Sequence, residues 1–131
     1  MNKYLSLLIF AVFLLSSGYV YSKYYRPEGM GAANISGRTV EMEMRILKNK
    51  WKWEPAEIKV GVGDYVRIKI YNEDDYDHGF ALDIFGINRR LFPLQTTIVE
   101  FTASNAGRFN FYCSVPCGEG HYEQAGVLIV E

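Results

Sequence analysis

Thr39-Val-Glu-Met-Glu-Met-Arg-Ile46 carries the reading that decides the fold. Val40, Met42, Met44 and Ile46 alternate with Glu41, Glu43 and Arg45, the two-residue period of a strand with one buried face. The period recurs in Ile58, Val60 and Val62 against Lys59 and Gly61, and again in Tyr65-Val-Arg-Ile-Lys-Ile-Tyr71 after the turn signal Gly63-Asp64. Further strands are predicted over Gly79–Ile84, Thr96–Thr102, Arg108–Tyr112 and Gly126–Val130, and no helical period of useful length interrupts them. Seven short strands at this spacing predict an all-β Greek-key sandwich or barrel with one core.

Upstream, Tyr4 to Tyr21 (YLSLLIFAVFLLSSGYVY) holds no charge and is flanked by Lys3, Lys23 and Arg26. That length is the lower edge of a bilayer span, and Tyr4, Tyr19 and Tyr21 stand where interfacial aromatics would stand. A cleaved signal peptide is the competing reading, because Ser16-Ser17-Gly18 resembles a small-residue cleavage site. The tyrosines extend the apolar run past that site and favour a retained anchor. The division expected is an anchor over 1–22, a Gly-rich linker over 23–38 and the folded domain over 39–131. Asn34-Ile-Ser36 matches a glycosylation acceptor only formally. A net charge of −1 lacks the basic excess that a nucleic-acid backbone demands, so no nucleic-acid partner is expected.

The chemistry concentrates in Cys113-Ser-Val-Pro-Cys117-Gly-Glu-Gly-His121-Tyr-Glu-Gln124, which holds both cysteines and one of the two histidines. Thiolate and imidazole suit soft or borderline metals. Pro116, Gly118 and Gly120 argue for a loop rather than a helix. His78 precedes the fourth predicted strand, and the end of a sandwich can bring it to the same pole. Three readings are open: a Cys113–Cys117 disulfide, a structural zinc, and a copper site with one early ligand and the rest on a C-terminal loop.

The stretch from Trp51 to Glu131 resembles the copper domain of subunit II of haem-copper cytochrome oxidases. Its loop is similar to that family's binuclear CuA motif, Cys-x3-Cys-x3-His-x2-Met, and Trp53–Val60, His78-Gly-Phe80, Gly86-Ile-Asn88 and Gly126–Glu131 resemble members with a single N-terminal anchor. The resemblance implies a cupredoxin-like fold in which Cys113 and Cys117 bridge two copper ions, with His78 and His121 as terminal ligands and the Val115 carbonyl as a weak axial donor. Gln124 stands where the family has methionine, and its amide oxygen can take the other axial position. Val115 also replaces a carboxylate found in many relatives, so a bridging magnesium is not implied.

It further implies an electron-transfer subunit of a cytochrome c oxidase that accepts electrons from cytochrome c and passes them to haem in subunit I. The chain itself would reduce no oxygen. It would be a single-pass protein of the plasma membrane with the copper domain on the outer, periplasmic or extracellular, side. Trp51 and Trp53, on one side of an extended segment, are candidates for electron entry, with simple cover of the sandwich as the alternative. Asp74, Asp75 and Asp77, in Glu73-Asp-Asp-Tyr-Asp77, are candidates for docking a basic cytochrome c, with a solvated turn as the alternative. A free-standing membrane-tethered cupredoxin carrying electrons or copper is the second functional reading.

Overall fold

The computed structural model describes residues 2–24 and 37–131, and the chain divides into two units, 1–32 and 33–131. The first contains α1, Lys3–Tyr24, whose 22 residues are apolar on every side and none of them buried. With no polar face, such a helix has no stripe with which to join a globular core. It would extend about 33 Å at the usual rise, long enough to cross a hydrocarbon layer of about 30 Å. Ser16, Ser17 and Ser22 donate their hydroxyls to the carbonyls of Phe13, Leu14 and Tyr19 at 3.0, 2.9 and 2.9 Å, which satisfies their polarity inside the helix. Most of the expected linker, residues 25–36, lies outside the described residues, as does Asn34-Ile-Ser36.

The described residues of the second unit form nine strands: β1 Thr39–Ile46, β2 Trp53–Glu54, β3 Glu57–Val60, β4 Tyr65–Asn72, β5 His78–Leu82, β6 Ile87–Leu91, β7 Thr96–Thr102, β8 Gly107–Tyr112 and β9 Ala125–Val130. They build one sheet in the order β2-β1-β4-β7 and another in the order β3-β9-β8-β5-β6. The all-β sandwich preceded by one apolar helix that the sequence predicts is therefore the architecture found. Alternation supplies the core: Met44, Ile46, Val66, Ile68, Ile70, Val99 and Phe101 come from the first sheet, and Ile58, Val60, Phe80, Leu82, Phe111, Leu128 and Val130 from the second.

Two strands escape the sequence reading. β2 has two residues, and β6 (Ile-Asn-Arg-Arg-Leu) has three consecutive exposed polar positions, as the outermost strand of its sheet can tolerate. The Gly63-Asp64 signal also means something different from a hairpin, because β3 and β4 lie in different sheets. Asp64 holds that crossing: it accepts the Gly61 amide at 2.7 Å and the Arg38 guanidinium at 2.5 Å, and its own carbonyl accepts the Ala103 amide at 2.9 Å.

Trp53 is 3% exposed and stands edge-on to Phe80 and Phe111, with ring centroids 5.6 and 5.9 Å away. Among the described residues, every buried hydrophobic residue lies within 37–131, which therefore carries its own core. In urea denaturation of that segment, Trp53→Ala should lose roughly 3–5 kcal/mol, the range for a large aromatic removed from a packed core. A loss under about 1 kcal/mol would contradict this packing.

Candidate metal centre

The site rests on two neighbouring strands. β5 is buried along its whole length and pairs with β8 at Ala81 opposite Tyr112, so Cys113, the residue after β8, emerges beside the start of β5 at His78. Gly79 makes this approach possible. A Cβ at Gly79 would lie 2.3 Å from Ser114 Oγ and 2.8 Å from the Val115 nitrogen, closer than a side chain can come. The Gly79 amide instead points at Cys113 Sγ, 3.4 Å away. The loop is closed at its base by the Cys113 amide donating to the Gln124 carbonyl at 3.0 Å, and a single 3-10 turn, His121–Glu123, returns the chain to β9.

Inside this loop the two sulfurs lie 3.4 Å apart. Cys113 Sγ is 3.8 Å from His78 Nδ1, and Cys117 Sγ is 3.6 Å from His121 Nδ1, so an imidazole flanks each end of the sulfur pair. The Val115 carbonyl oxygen lies 3.2 Å from Cys113 Sγ. Gln124 is 1% exposed, with Oε1 2.9 Å from His78 Nδ1 and 3.4 Å from Cys117 Sγ. Ligating atoms of His78, Cys113 and Cys117 all fall within 4.8 Å of one another, and these three residues are buried.

The outer nitrogen of His78 meets a carboxylate: Nε2 is 2.8 Å from Asp74 Oδ2, with both side chains at 0% exposure. A carboxylate accepts, so Nε2 carries a proton, while Nδ1 faces the sulfurs and the Gln124 amide oxygen. Tyr76 covers the same imidazole, ring centroids 5.1 Å apart.

Burial pushes the Cys113 thiol up, but hydrogen bonds with His78 and with the backbone of Gly79 and Val115 outweigh it and bring it down to about 6. Burial and the neighbouring Cys113 both push Cys117 up. Burial lowers His78, while its hydrogen bonds to Cys113, Asp74 and Gln124 hold it above its ordinary value. The cluster is thus one that a cation entering between the sulfurs would relieve, since metal binding displaces protons from thiols and imidazole.

The donor set fits such an ion. Both cysteines are free, and their sulfurs stand well beyond the about 2.05 Å of a disulfide. Bonds of about 2.0–2.3 Å to a borderline ion place two ligands on that ion roughly 3.5–3.8 Å apart, which is the spacing of the two sulfur–imidazole pairs.

The candidates for electron entry and docking need correction. Trp51 and Trp53 do not share a side. Asn49 and Trp51 adopt left-handed backbone angles, φ 57° and 49°, so the segment turns rather than extends, and Trp53 goes into the core. Trp51 is half-buried over the loop and donates its indole N–H to the Cys117 carbonyl at 2.9 Å.

The acidic run is largely committed to internal contacts. Asp74 is buried against His78, Asp77 pairs with Arg90, and Glu73 pairs with Arg45 at 3.1 Å and accepts the Lys48 amide at 3.2 Å. Asp75 alone of the three predicted aspartates is fully exposed. Sequence reasoning missed the Asp74–His78 contact. Their spacing of four residues on a loop gave no indication that the carboxylate folds back.

A sequence profile described as a cupredoxin-like domain matches residues 7–130. Nitrous-oxide reductase of Pseudomonas fluorescens is 37% identical over 79 residues, covering 58% of this chain but 12% of the reductase. Cytochrome c oxidase subunit 2 of Thermus thermophilus is 28% identical over 86 residues, covering 66% of this chain and 63% of the subunit. The chain therefore spans a small fraction of the first relative and less than two thirds of the second. A chain from a haem-copper terminal oxidase dimer shares the fold at a TM-score of 0.62 and 23% identity, over 98% of this chain and 97% of its own.

A Cβ at Gly120 would lie 2.6 Å from two indole carbons of Trp51. Gly120→Ala should displace Trp51 from the loop. The expected sign is a red shift and increased quenching accessibility of tryptophan emission, with Trp53 still shielded, and an unchanged spectrum would contradict the packing of Trp51 on the glycines.

Proposed function

Because the chain belongs to the cupredoxin-like domain family, we propose that it is a copper electron carrier with a binuclear CuA centre, acting as subunit II of a haem-copper terminal oxidase. The observation that carries the reading is the pair of sulfurs 3.4 Å apart with an imidazole at each end. Mononuclear blue-copper sites use one cysteine and two histidines. A second thiolate, equally buried and central, suits a bridged pair of ions. The relatedness to cytochrome c oxidase subunit 2 supports the partner assignment.

In this reading Cys113 and Cys117 would supply the thiolates shared by both ions, and His78 and His121 would each hold one through Nδ1. Val115 O, on the Cys113 side, and Gln124 Oε1, beside His78, would be the weak donors. A copper pair held there would exchange one electron at a time with little change in bond lengths. The protein contributes rigidity: donors fixed by the β5–β8 register, the Gly79 amide on sulfur and an apolar core behind them that excludes water.

Trp51 gives an entry path from the surface through its N–H to the Cys117 carbonyl, one residue's length from the bridging sulfur. Electrons would come from cytochrome c and leave to haem in subunit I. The helix Lys3–Tyr24 would anchor the chain in the plasma membrane, with the copper domain on the outer face. The pairing of Glu73, Asp74 and Asp77 with Arg45, His78 and Arg90 leaves fewer carboxylates to attract a basic partner and favours the second reading, a membrane-tethered cupredoxin serving another partner. Co-purification with a polytopic haem protein separates the two.

The chain loaded with copper in detergent should bind two ions and show a purple absorption with a delocalised spin signal. Cys113→Ser or Cys117→Ser should each abolish that spectrum, because one thiolate cannot bridge symmetrically. One copper with a blue spectrum, or a protein that retains zinc alone, would overturn the binuclear assignment.

Gln124→Met tests the axial donor. An amide oxygen is harder than a thioether sulfur and favours the more oxidised copper state, so the methionine variant should have a modestly higher reduction potential and a nearly unchanged spectrum. Voltammetry at one pH that gives an equal or lower value would remove Gln124 from the ligand set.

A further inference from the structure

Asp74 is fully buried, and each of its polar groups has a partner. Its amide donates to Asn72 Oδ1 at 3.0 Å and its carbonyl accepts the Leu94 amide at 3.1 Å. Oδ1 accepts the Asn49 amide at 2.7 Å, and Oδ2 faces His78 Nε2 at 2.8 Å. A carboxylate taken wholly out of water loses several kcal/mol of hydration unless hydrogen bonds and a positive charge replace it. Here the hydrogen bonds come from the Asn49 peptide, the His78 imidazole and the Tyr76 side chain. The imidazole, or a cation bound on its far side, supplies the charge. The same residue therefore touches two parts of the site: the turn that carries Trp51, through Asn49, and the ligand His78.

We infer that Asp74 is the positioning residue of the metal centre, holding His78 with Nδ1 aimed at the sulfurs and tying that ligand to the Trp51 turn through its second oxygen. The inference rests on the copper reading of the site. A carboxylate on the outer nitrogen fixes the ring's orientation and tautomer and makes the ligating nitrogen a stronger donor, which favours the oxidised metal. Its link to Asn49 also gives Asp74 a reason to be buried beside the exposed Asp75. Asn49 and Trp51 hold left-handed backbone angles, and the acceptors Glu73 Oε2 and Asp74 Oδ1 on the Lys48 and Asn49 amides fix that turn. Movement of Asp74 would thus disturb the ligand and the entry residue together.

The test compares the full-length wild type and Asp74→Asn in detergent, both loaded with copper. The asparagine can still accept the Asn49 amide, but the group facing His78 Nε2 becomes an amide N–H. It then favours the wrong tautomer. Copper affinity, read by chelator competition, should fall about ten- to a hundredfold, the range for removal of a ligand's outer partner. The reduction potential of the remaining copper-loaded protein should rise. Equal affinity and equal potential would overturn the inference while leaving the copper reading intact. A wild type that takes up no copper would overturn both.

If Asp74→Asn does not fold, the metal-free wild type decides by nuclear magnetic resonance. A buried carboxylate partner predicts a slowly exchanging, far-downfield Nε2–H proton on one histidine, lost in His78→Gln. A rapidly exchanging proton there would overturn the inference.

Discussion

The register that sets Ala81 against Tyr112 is the contact on which the site depends. It brings the chain leaving the end of β8 alongside the first residues of β5, so a histidine and a cysteine more than thirty residues apart become adjacent without any long side chain reaching across. The loop that follows can lie this close only because Gly79 has no Cβ. The freed amide then points at a sulfur. Backbone geometry, fixed by ladder hydrogen bonds and a packed core, sets the donor positions more rigidly than side-chain rotamers could.

Polar burial in the domain divides by purpose. Asp64 and Asn72 are buried to hold chain crossings: Asp64 stitches the sheet-to-sheet turn, and Asn72 donates to the carbonyls of Tyr76, Leu91 and Phe92 at 2.9, 3.2 and 3.3 Å. His78, Asp74 and Gln124 are buried around the sulfurs instead. Such a network is stable only when its members satisfy one another. Gln124 Nε2 is the exception near the sulfurs, a buried donor with no hydrogen-bond partner among the described residues. Gln124 Oε1 instead lies 2.9 Å from His78 Nδ1 and 3.4 Å from Cys117 Sγ.

The outer surface of the pole follows from the same economy of partners. Glu73, Asp74 and Asp77 are engaged by Arg45, His78, Arg90 and backbone amides, whereas Trp51 is held over the loop by its indole N–H and by two glycines that leave it room.

The sequence by itself determined the fold class, since the period-two runs at Val40–Ile46 and Tyr65–Tyr71 require strands with one buried face. It also determined the kind of chemistry, since both cysteines and a histidine fall in one Gly- and Pro-broken loop. These are local properties of composition and spacing. It did not reveal β6, whose charged middle suits an edge position that only the assembled sheet defines, nor the sheet change at Gly63-Asp64. The tertiary structure decided which aromatic faces outward and which carboxylate is buried. Positive φ at Asn49 and Trp51 sends Trp53 into the core, and the fold-back of Asp74 onto His78 depends on contacts with Asn49 and Leu94 from two other segments. Alternation cannot report these outcomes because each depends on a turn and on long-range hydrogen bonds rather than on neighbouring residues.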